Sequence, residues 1–369
     1  MIYIVPAFLA SFILCLILIK YSKINGGAAL DKTDGVQKFH KGNIPRIGGM
    51  AIFGGLLVPS VIFYLKKEEF ANEYLLLVLS SIPIVLSGFM EDLTKKISPF
   101  LRLGLGFLSA LIAFFILNAR LSGMSITGIH AVDSALSLLP VSLVFTVFAV
   151  AGVSNSINII DGFNGLASGV SIMIFLAFAY VAFLLHDHFV FYTSVIMVFA
   201  IFGFFIWNYP FGHIFMGDGG AYLVGFVIAV TSILLVKDNR RISPWFPMLV
   251  VIYPVWETLF SAIRRKFLRN RNPVMPDALH FHSLVFRRII TKTLGGNNSK
   301  NMIRRNSATS VYLWIIELFC IVPAVEFRGN TRLLMAFSAI FIAGYTWFYF
   351  SIVKFKIPGF LKSSRNRGF

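Results

Sequence analysis

Residues 138–185 read LLPVSLVFTVFAVAGVSNSINIIDGFNGLASGVSIMIFLAFAYVAFLL, and Asp161 is the single charged side chain in that run. Two apolar blocks, 138–153 and 166–185, flank a polar centre. Roughly 20 apolar residues carry a helix across the hydrocarbon core of a bilayer. Backbone groups in lipid must be bonded within the segment, so such blocks read as helices. Asn155, Asn158, Asp161 and Asn164 recur every third position. In a helix that spacing lays them along one side. No Lys or Arg stands nearby to pair Asp161, and polar groups at membrane depth are costly enough to mark function.

The same block pattern extends in both directions. Apolar segments lie at 3–20, 46–65, 74–90, 103–118, 138–153, 166–185, 189–207, 219–236, 244–263, 308–326 and 333–353. Hydrophobic residues are 57% of the chain and charged residues 13%, against about 25% charged in soluble domains. The expected fold is all-α: a polytopic bundle of about eleven spans forming one integral-membrane domain over 1–369. One larger extramembrane loop is expected at 264–307, and no internal repeat or long linker is evident. The segment Met1–Ile19 lacks a basic leader and a small-residue cleavage site, and reads as a first span rather than a signal peptide. Cys15 and Cys320 both sit in apolar blocks. Two cysteines make neither a disulfide framework nor a zinc site.

The formal net charge is +17. Its distribution argues against nucleic acid, since no basic helix with interleaved aromatics lies outside the spans. Instead the basic residues favour one side. Lys20, Lys23, Lys32, Lys38, Lys41, Arg46, Lys95, Lys96, Arg102, the stretch from Arg264 to Arg305 and the tail from Lys354 to Arg367 fall in one set of loops. The positive-inside bias makes that set cytoplasmic, with the N-terminus outside and the C-terminus inside.

Five segments of that cytoplasmic set carry the unusual polar residues. The first, Asp34–Gly49, offers Lys38, His40 and Arg46 beside Gly48 and Gly49, which suits an anion clamp or an ordinary basic loop. The second, GFMEDLTKKISP over 88–99, places Glu91 and Asp92 at a span end, for a metal, a base or simple solvation. The third is the Asn/Asp stretch above, for Mg²⁺, a nucleotide sugar or interhelical hydrogen bonds. In the fourth, FMGDGGA over 215–221, Asp218 lies among glycines at a helix start, for a metal–diphosphate contact or an N-cap. The fifth, PDALHFHSLVFRR over 276–288, holds Asp277, His280, His282, Arg287 and Arg288, for phosphate contacts or a solvated loop. The opposite loops hold His130, His186 and His188, read as surface residues.

In this order the segments resemble the polyprenyl-phosphate N-acetylhexosamine-1-phosphate transferase superfamily, also called membrane glycosyl transferase family 4. The specific part is NSINIIDGFNGLA followed by FMGDGG, and the resemblance runs from about Asp34 to Arg288. It implies an eleven-span enzyme with a cytoplasmic site that moves an N-acetylhexosamine 1-phosphate, GlcNAc most often, from a UDP-sugar to undecaprenyl phosphate. UMP and a polyprenyl diphosphosugar would be the products. It also implies a Mg²⁺ cofactor, with Mn²⁺ as a substitute. The chain departs from the family where Glu91 precedes Asp92, where Asn164 and Ala221 replace Asp and Ser, and where Ala278 and Ser283 replace an Arg and a third His. The absence of a consecutive His run sets it nearer the O-antigen branch, which starts lipopolysaccharide and related envelope polysaccharides, than the phospho-MurNAc-pentapeptide translocase of the cell wall.

The expected roles follow from phosphoryl-transfer chemistry, which needs positioning and charge neutralisation. Asp218 would hold Mg²⁺ with Asp161 and Asn158. Asp92, assisted by Glu91, would orient the lipid phosphate, and Asp161 also counts as catalytic. Lys38, His40, Arg46, Asn155, Asn158, Asn164, Asp277, His280, His282, Arg287 and Arg288 would bind substrate. Membrane lipid is a further partner, and oligomeric state stays open. The rivals are a lipid-linked sugar transporter and an inactive scaffold. A transporter would place charges mid-membrane, where only Glu257 and Glu317 lie inside apolar blocks.

Overall fold

Apolar blocks separated by short polar joints fold here into a helical bundle. The computed structural model describes residues 1–25, 30–31, 44–121, 130–268, 279–294 and 299–354. In chain order its helices are α1 (Ile4–Asn25), α2 (Gly48–Lys66), α3 (Ala71–Thr94), α4 (Pro99–Ile116), α5 (His130–Ser137), α6 (Leu139–Ile160), α7 (Leu166–Leu185), α8 (His188–Asn208), α9 (Gly217–Asp238), α10 (Trp245–Val250), α11 (Ile252–Ile263), α12 (Phe281–Leu284), α13 (Thr291–Leu294), α14 (Ser299–Glu326) and α15 (Thr331–Val353). The only strand pairing among the described residues is a two-residue antiparallel ladder, β1 (Leu30–Asp31) with β2 (Ile44–Pro45).

Among the described residues, ten helices are long and apolar enough to cross a membrane: α1 to α4, α6 to α9, α14 and α15. The protein is therefore an all-α, multi-pass membrane protein. The expected block at 244–263 is present but broken at Val251 into α10 and α11. Pro254 is the cause: it has no N–H to bond the carbonyl of Val250, and its ring would clash with that oxygen. The expected loop at 264–307 is also more ordered than its composition suggests. A π-helical turn, Arg264–Leu268, prolongs α11, and another, Val285–Ile290, links α12 to α13. Helix α14 begins at Ser299, nine residues before the apolar block does.

Helix α9 is the axis of the bundle. Every residue from Gly217 to Thr231 is buried, and α2, α3, α6, α7 and α8 pack around it. Outer helices turn large apolar side chains outward, among them Ile13 on α1, Phe319 and Val322 on α14, and Ile340 on α15. Lipid solvates these groups, so the hydrophobic effect adds little between helices there, and close packing must hold the bundle. Glycine makes that packing possible at the α2–α3–α9 crossing. A Cβ on Gly49 would lie 2.2 Å from the Gly220 nitrogen, and one on Gly88 would lie 2.3 Å from the Gly219 Cα. The three backbones touch directly, and Asp92 and Asp218 flank the crossing.

One fully buried acid has no hydrogen-bond partner among the described residues. Glu317 on α14 is fully buried and neither carboxyl oxygen accepts a hydrogen bond. An unsatisfied buried carboxyl is expensive, and an apolar side chain of similar size removes the cost. Glu317→Leu is expected to stabilise the protein by about 1–3 kcal/mol, the usual penalty of an unpaired buried polar group. A thermal melt in detergent checks this: the midpoint should rise, and a lower midpoint would contradict it.

Candidate active site

The site forms where the N-terminus of α9 meets the C-terminal ends of α3 and α6 and the N-terminal end of α4. The glycine-rich start of α9 lets its first turn fit against α3. Gly217 has φ +75°, and a Cβ there would lie 2.2 Å from the Arg46 carbonyl oxygen and 2.6 Å from Asp92 Oδ2. Only glycine meets both demands. The turn then presents two amides to Asp92: the Asp218 N–H donates to Oδ1 at 2.9 Å, and the Gly219 N–H donates to Oδ2 at 3.0 Å. Asp92 is thus an N-terminal cap for α9 supplied by another helix, and it complements the positive end of the helix dipole.

Asp92 was expected to orient a lipid phosphate. It is buried, with both oxygens committed to backbone amides, so its place in the structure is to fix Asp218. Asp92→Ala should strand both amides and cost about 1–3 kcal/mol. Asp92→Asn keeps one acceptor and should cost less. Thermal melts of the two variants in detergent test that order.

Asp218 is the most heavily bonded group of the site. Arg46 donates to Oδ1 at 2.8 Å, Arg102 to Oδ2 at 2.5 Å, and the Asn158 carboxamide to Oδ1 at 3.0 Å. Arg46 also lies 3.8 Å from Asp92. The carboxylate side chain is 9% exposed, whereas Arg46 and Arg102 are 33% and 21% exposed. The arginines therefore form the solvent side of the cluster and the acids its floor. Arg102 was read from sequence only as a topology marker. Its position in the first turn of α4 was the available signal that it could face the acids.

Asp161 caps the C-terminal end of α6. The predicted polar stripe holds for Asn155, Asn158 and Asp161, because α6 runs to Ile160, well past the apolar block. It fails at Asn164, because Gly162 and Gly165 end the helix in a turn, Gly165 having φ +76°. Asp161 keeps some exposed area although protein surrounds it closely. Desolvation pushes its carboxyl up to about 7, with Arg46 opposing and Asp218 reinforcing the shift. Its carboxylate has no ion-pair or hydrogen-bond partner among the described residues.

The His segment closes the other side of this turn. A Cβ on Gly162 would lie 3.0 Å from His282 Nε2, so the His282 ring rests on the residue next to Asp161. Phe163 meets the same ring edge-on at 5.6 Å, and His280 stacks on it at 5.2 Å with an interplanar angle of 5°. Asp161 therefore stands between the Asp218–arginine cluster and the stacked histidines.

Other expected residues serve the scaffold. Glu91 accepts the Ile97 N–H at 2.8 Å and closes the turn after α3. Asn164 donates to the Pro210 carbonyl, its N–H donates to Asn306, and its carbonyl accepts from Ser310, tying α7 to α14. Arg288 donates to the Ile352 and Val353 carbonyls at 2.7 Å, capping α15. Arg287 is exposed, and Asn155 is half-buried one turn before Asn158. Lys38, His40 and Asp277 lie outside the described residues.

Among the described residues, no group of three His, Cys, Asp or Glu side chains encloses a metal by itself. Mg²⁺ does not require such a cage, since it binds through one or two carboxylates and takes its remaining oxygens from water and phosphate. The unpartnered Asp161 carboxylate, with Asp218 and Asn158 beside it, fits that need. Two partly exposed guanidiniums above the more buried Asp218 also suit a diphosphate, which Arg binds through charge-assisted hydrogen bonds.

Comparison with known proteins agrees with this chemistry. Residues 74–236 match glycosyl transferase family 4. The chain is 34% identical over 287 residues to a phospho-N-acetylmuramoyl-pentapeptide-transferase of Staphylococcus carnosus, covering 75% of this chain and 88% of the relative. It is 28% identical over 290 residues to a probable undecaprenyl-phosphate N-acetylglucosaminyl 1-phosphate transferase of Bacillus subtilis, covering 76% and 77%. A phospho-N-acetylmuramoyl-pentapeptide-transferase of Staphylococcus aureus is 29% identical over 295 residues, covering 77% and 90%.

Proposed function

Because the chain belongs to glycosyl transferase family 4, we propose that it transfers an N-acetylhexosamine 1-phosphate from a UDP-sugar to undecaprenyl phosphate. The donor is UDP-GlcNAc, and the product primes an O-antigen or similar envelope polysaccharide. The observation that carries this reading is the Asp161–Asp218 pair with its arginine rim, set at one end of a bundle whose surface is apolar. A water-soluble diphosphate and a membrane-held phosphate can meet at such a boundary. The Lys and Arg bias supports an N-terminus outside, a C-terminus inside and a site on the cytoplasmic face of the inner membrane.

In this reaction an oxygen of the lipid phosphate attacks the β-phosphorus of the UDP-sugar. The bond from that phosphorus to the bridging oxygen breaks, and UMP leaves with the electron pair. A phosphomonoester has a second pKa near 6, so the lipid phosphate is mostly ionised at neutral pH and needs no strong base. Arg46 and Arg102 bind donor phosphate oxygens and offset the charge that gathers on UMP. Asp92 keeps Asp218 in register by holding the first turn of α9. His282 borders the transfer site from the side of Gly162. Asp218, Asp161 and Asn158 would hold Mg²⁺, which supplies further charge neutralisation at the diphosphate. Lys38, His40 and Asp277 would be further substrate-binding residues on the strength of their chemistry alone.

The identity to the Staphylococcus carnosus relative favours a second reading, with UDP-MurNAc-pentapeptide as donor. The segment His280-Phe281-His282-Ser283 lacks the consecutive His run of the translocase branch and favours the first. Purified protein in detergent, given undecaprenyl phosphate, Mg²⁺ and a panel of UDP-sugars including UDP-MurNAc-pentapeptide, decides between them. UMP release that needs both lipid and metal, with UDP-GlcNAc, is expected. Release from the pentapeptide donor alone would establish the second reading, and release from no donor would reject both.

A further inference from the structure

Glu257 stands in an apolar block with no basic neighbour within six residues on its own helix, yet it is fully enclosed and fully bonded. Its Oε1 accepts the Phe281 N–H at 3.0 Å and faces His280 Nδ1 at 3.0 Å, while Oε2 accepts the Tyr345 hydroxyl at 2.6 Å. The opposite nitrogen of the same imidazole, His280 Nε2, lies 3.1 Å from Arg265. A guanidinium can only donate. Nε2 must then accept, and Nδ1 must carry the proton that it gives to Glu257. Two partners on opposite edges leave the His280 ring one tautomer and one orientation.

The same carboxylate pins the backbone at Phe281, between the two histidines. His282 is consequently held by two means: its backbone is tied at the preceding residue, and its ring lies flat on the fixed His280 ring. That arrangement sets His282 Nε2 against Gly162, the residue that follows Asp161 in the turn. Tyr345 on α15 supports Glu257 from behind, and the Tyr349 hydroxyl donates to the Leu279 carbonyl at 3.2 Å, one residue before His280.

We infer that Glu257 is a positioning residue of the transferase site: it selects the Nδ1–H tautomer of His280 and thereby holds His282 at the Asp161–Gly162 turn. The inference rests on the proposed transfer reaction for its effect on turnover, but the tautomer itself does not. Glutamine at 257 can reproduce the bonds, with its carbonyl oxygen accepting from Phe281 and His280 and its amide donating to the Tyr345 oxygen. Leucine can reproduce none of them.

The test uses full-length protein in detergent with 15N-labelled histidine. The His280 signals are assigned by their loss in His280→Asn. Nδ1 protonated and Nε2 unprotonated is the expected pattern in the unsubstituted protein, and the reverse overturns the inference. UMP release is then measured for Glu257→Leu and Glu257→Gln. Glu257→Leu should lower kcat/KM for the nucleotide sugar about 10- to 100-fold, the range for partners that orient a site imidazole. Glu257→Gln should restore most of it. Wild-type kinetics in folded Glu257→Leu, or a Gln variant as impaired as Leu, would each overturn the inference. If Glu257→Leu does not fold, the tautomer pattern and the Gln variant decide. Failure of the proposed reaction looks different: the unsubstituted protein releases no UMP while the tautomer pattern is still read.

Discussion

Asp218→Asn is expected to reduce UMP release by about 10³-fold or more, the scale of losing a preorganised charge at a transfer site. The substitution preserves shape, and the Asn158 carboxamide still finds an oxygen to donate to. The charge is what disappears. Arg46 and Arg102 both converge on this carboxylate, and without it the two guanidiniums repel each other and lose their common anchor. The first turn of α9 stays capped by Asp92, so the protein should remain folded. The variant is compared with wild type by UMP release and by its elution as a monodisperse peak. A rate within tenfold of wild type would remove Asp218 from the transfer machinery.

The second large effect is on folding. Gly49→Ala is expected to cost more than about 4 kcal/mol, the exceptional range reserved for overpacking that cannot relax. The obstacle is backbone, since the new Cβ would fall 2.2 Å from the Gly220 nitrogen and 2.3 Å from its Cα. Helices α2 and α9 would have to separate, which would also move Arg46, two residues before α2, away from Asp218. Gly344→Ala on α15 is the matched control, with nothing within 4 Å of the added carbon. It should be neutral or stabilise by about 0.5–1 kcal/mol, since Gly in a helix is worse than Ala by that amount. Thermal melts of both variants in detergent check the pair. Equal midpoints would mean the α2–α9 crossing tolerates separation.

Ten of the eleven expected spans were legible among the described residues, because twenty-residue apolar blocks have few alternatives in lipid. The split at Val251 was not, because proline tolerance in membrane helices depends on what satisfies the freed carbonyl, and sequence does not show that. Asp161 and Asp218 stood out in sequence because each lacked a basic neighbour along the chain. Arg102 and Arg46 reach Asp218 from 116 and 172 residues away, a pairing that periodicity cannot reveal. Asp92 stood out by residue type, and the structure adds bonds that sequence did not show, to the first amides of α9. Its neighbours along the chain gave no sign that the amides of a helix more than a hundred residues later would occupy it. Glu257 and Glu317 looked alike in sequence, each one acid in an apolar block. Among the described residues the fold gives one a full set of donors and the other none.

The central claim is that phosphate travels with the sugar. UDP-GlcNAc labelled with 32P at its β-phosphate and with 3H in the sugar tests it in one step, using purified protein, undecaprenyl phosphate and Mg²⁺. Both labels should enter the organic-extractable lipid in equal amounts while unlabelled UMP appears in the water phase. Tritium in the lipid with 32P left on UDP would mean sugar transfer without phosphate and would contradict the proposed reaction.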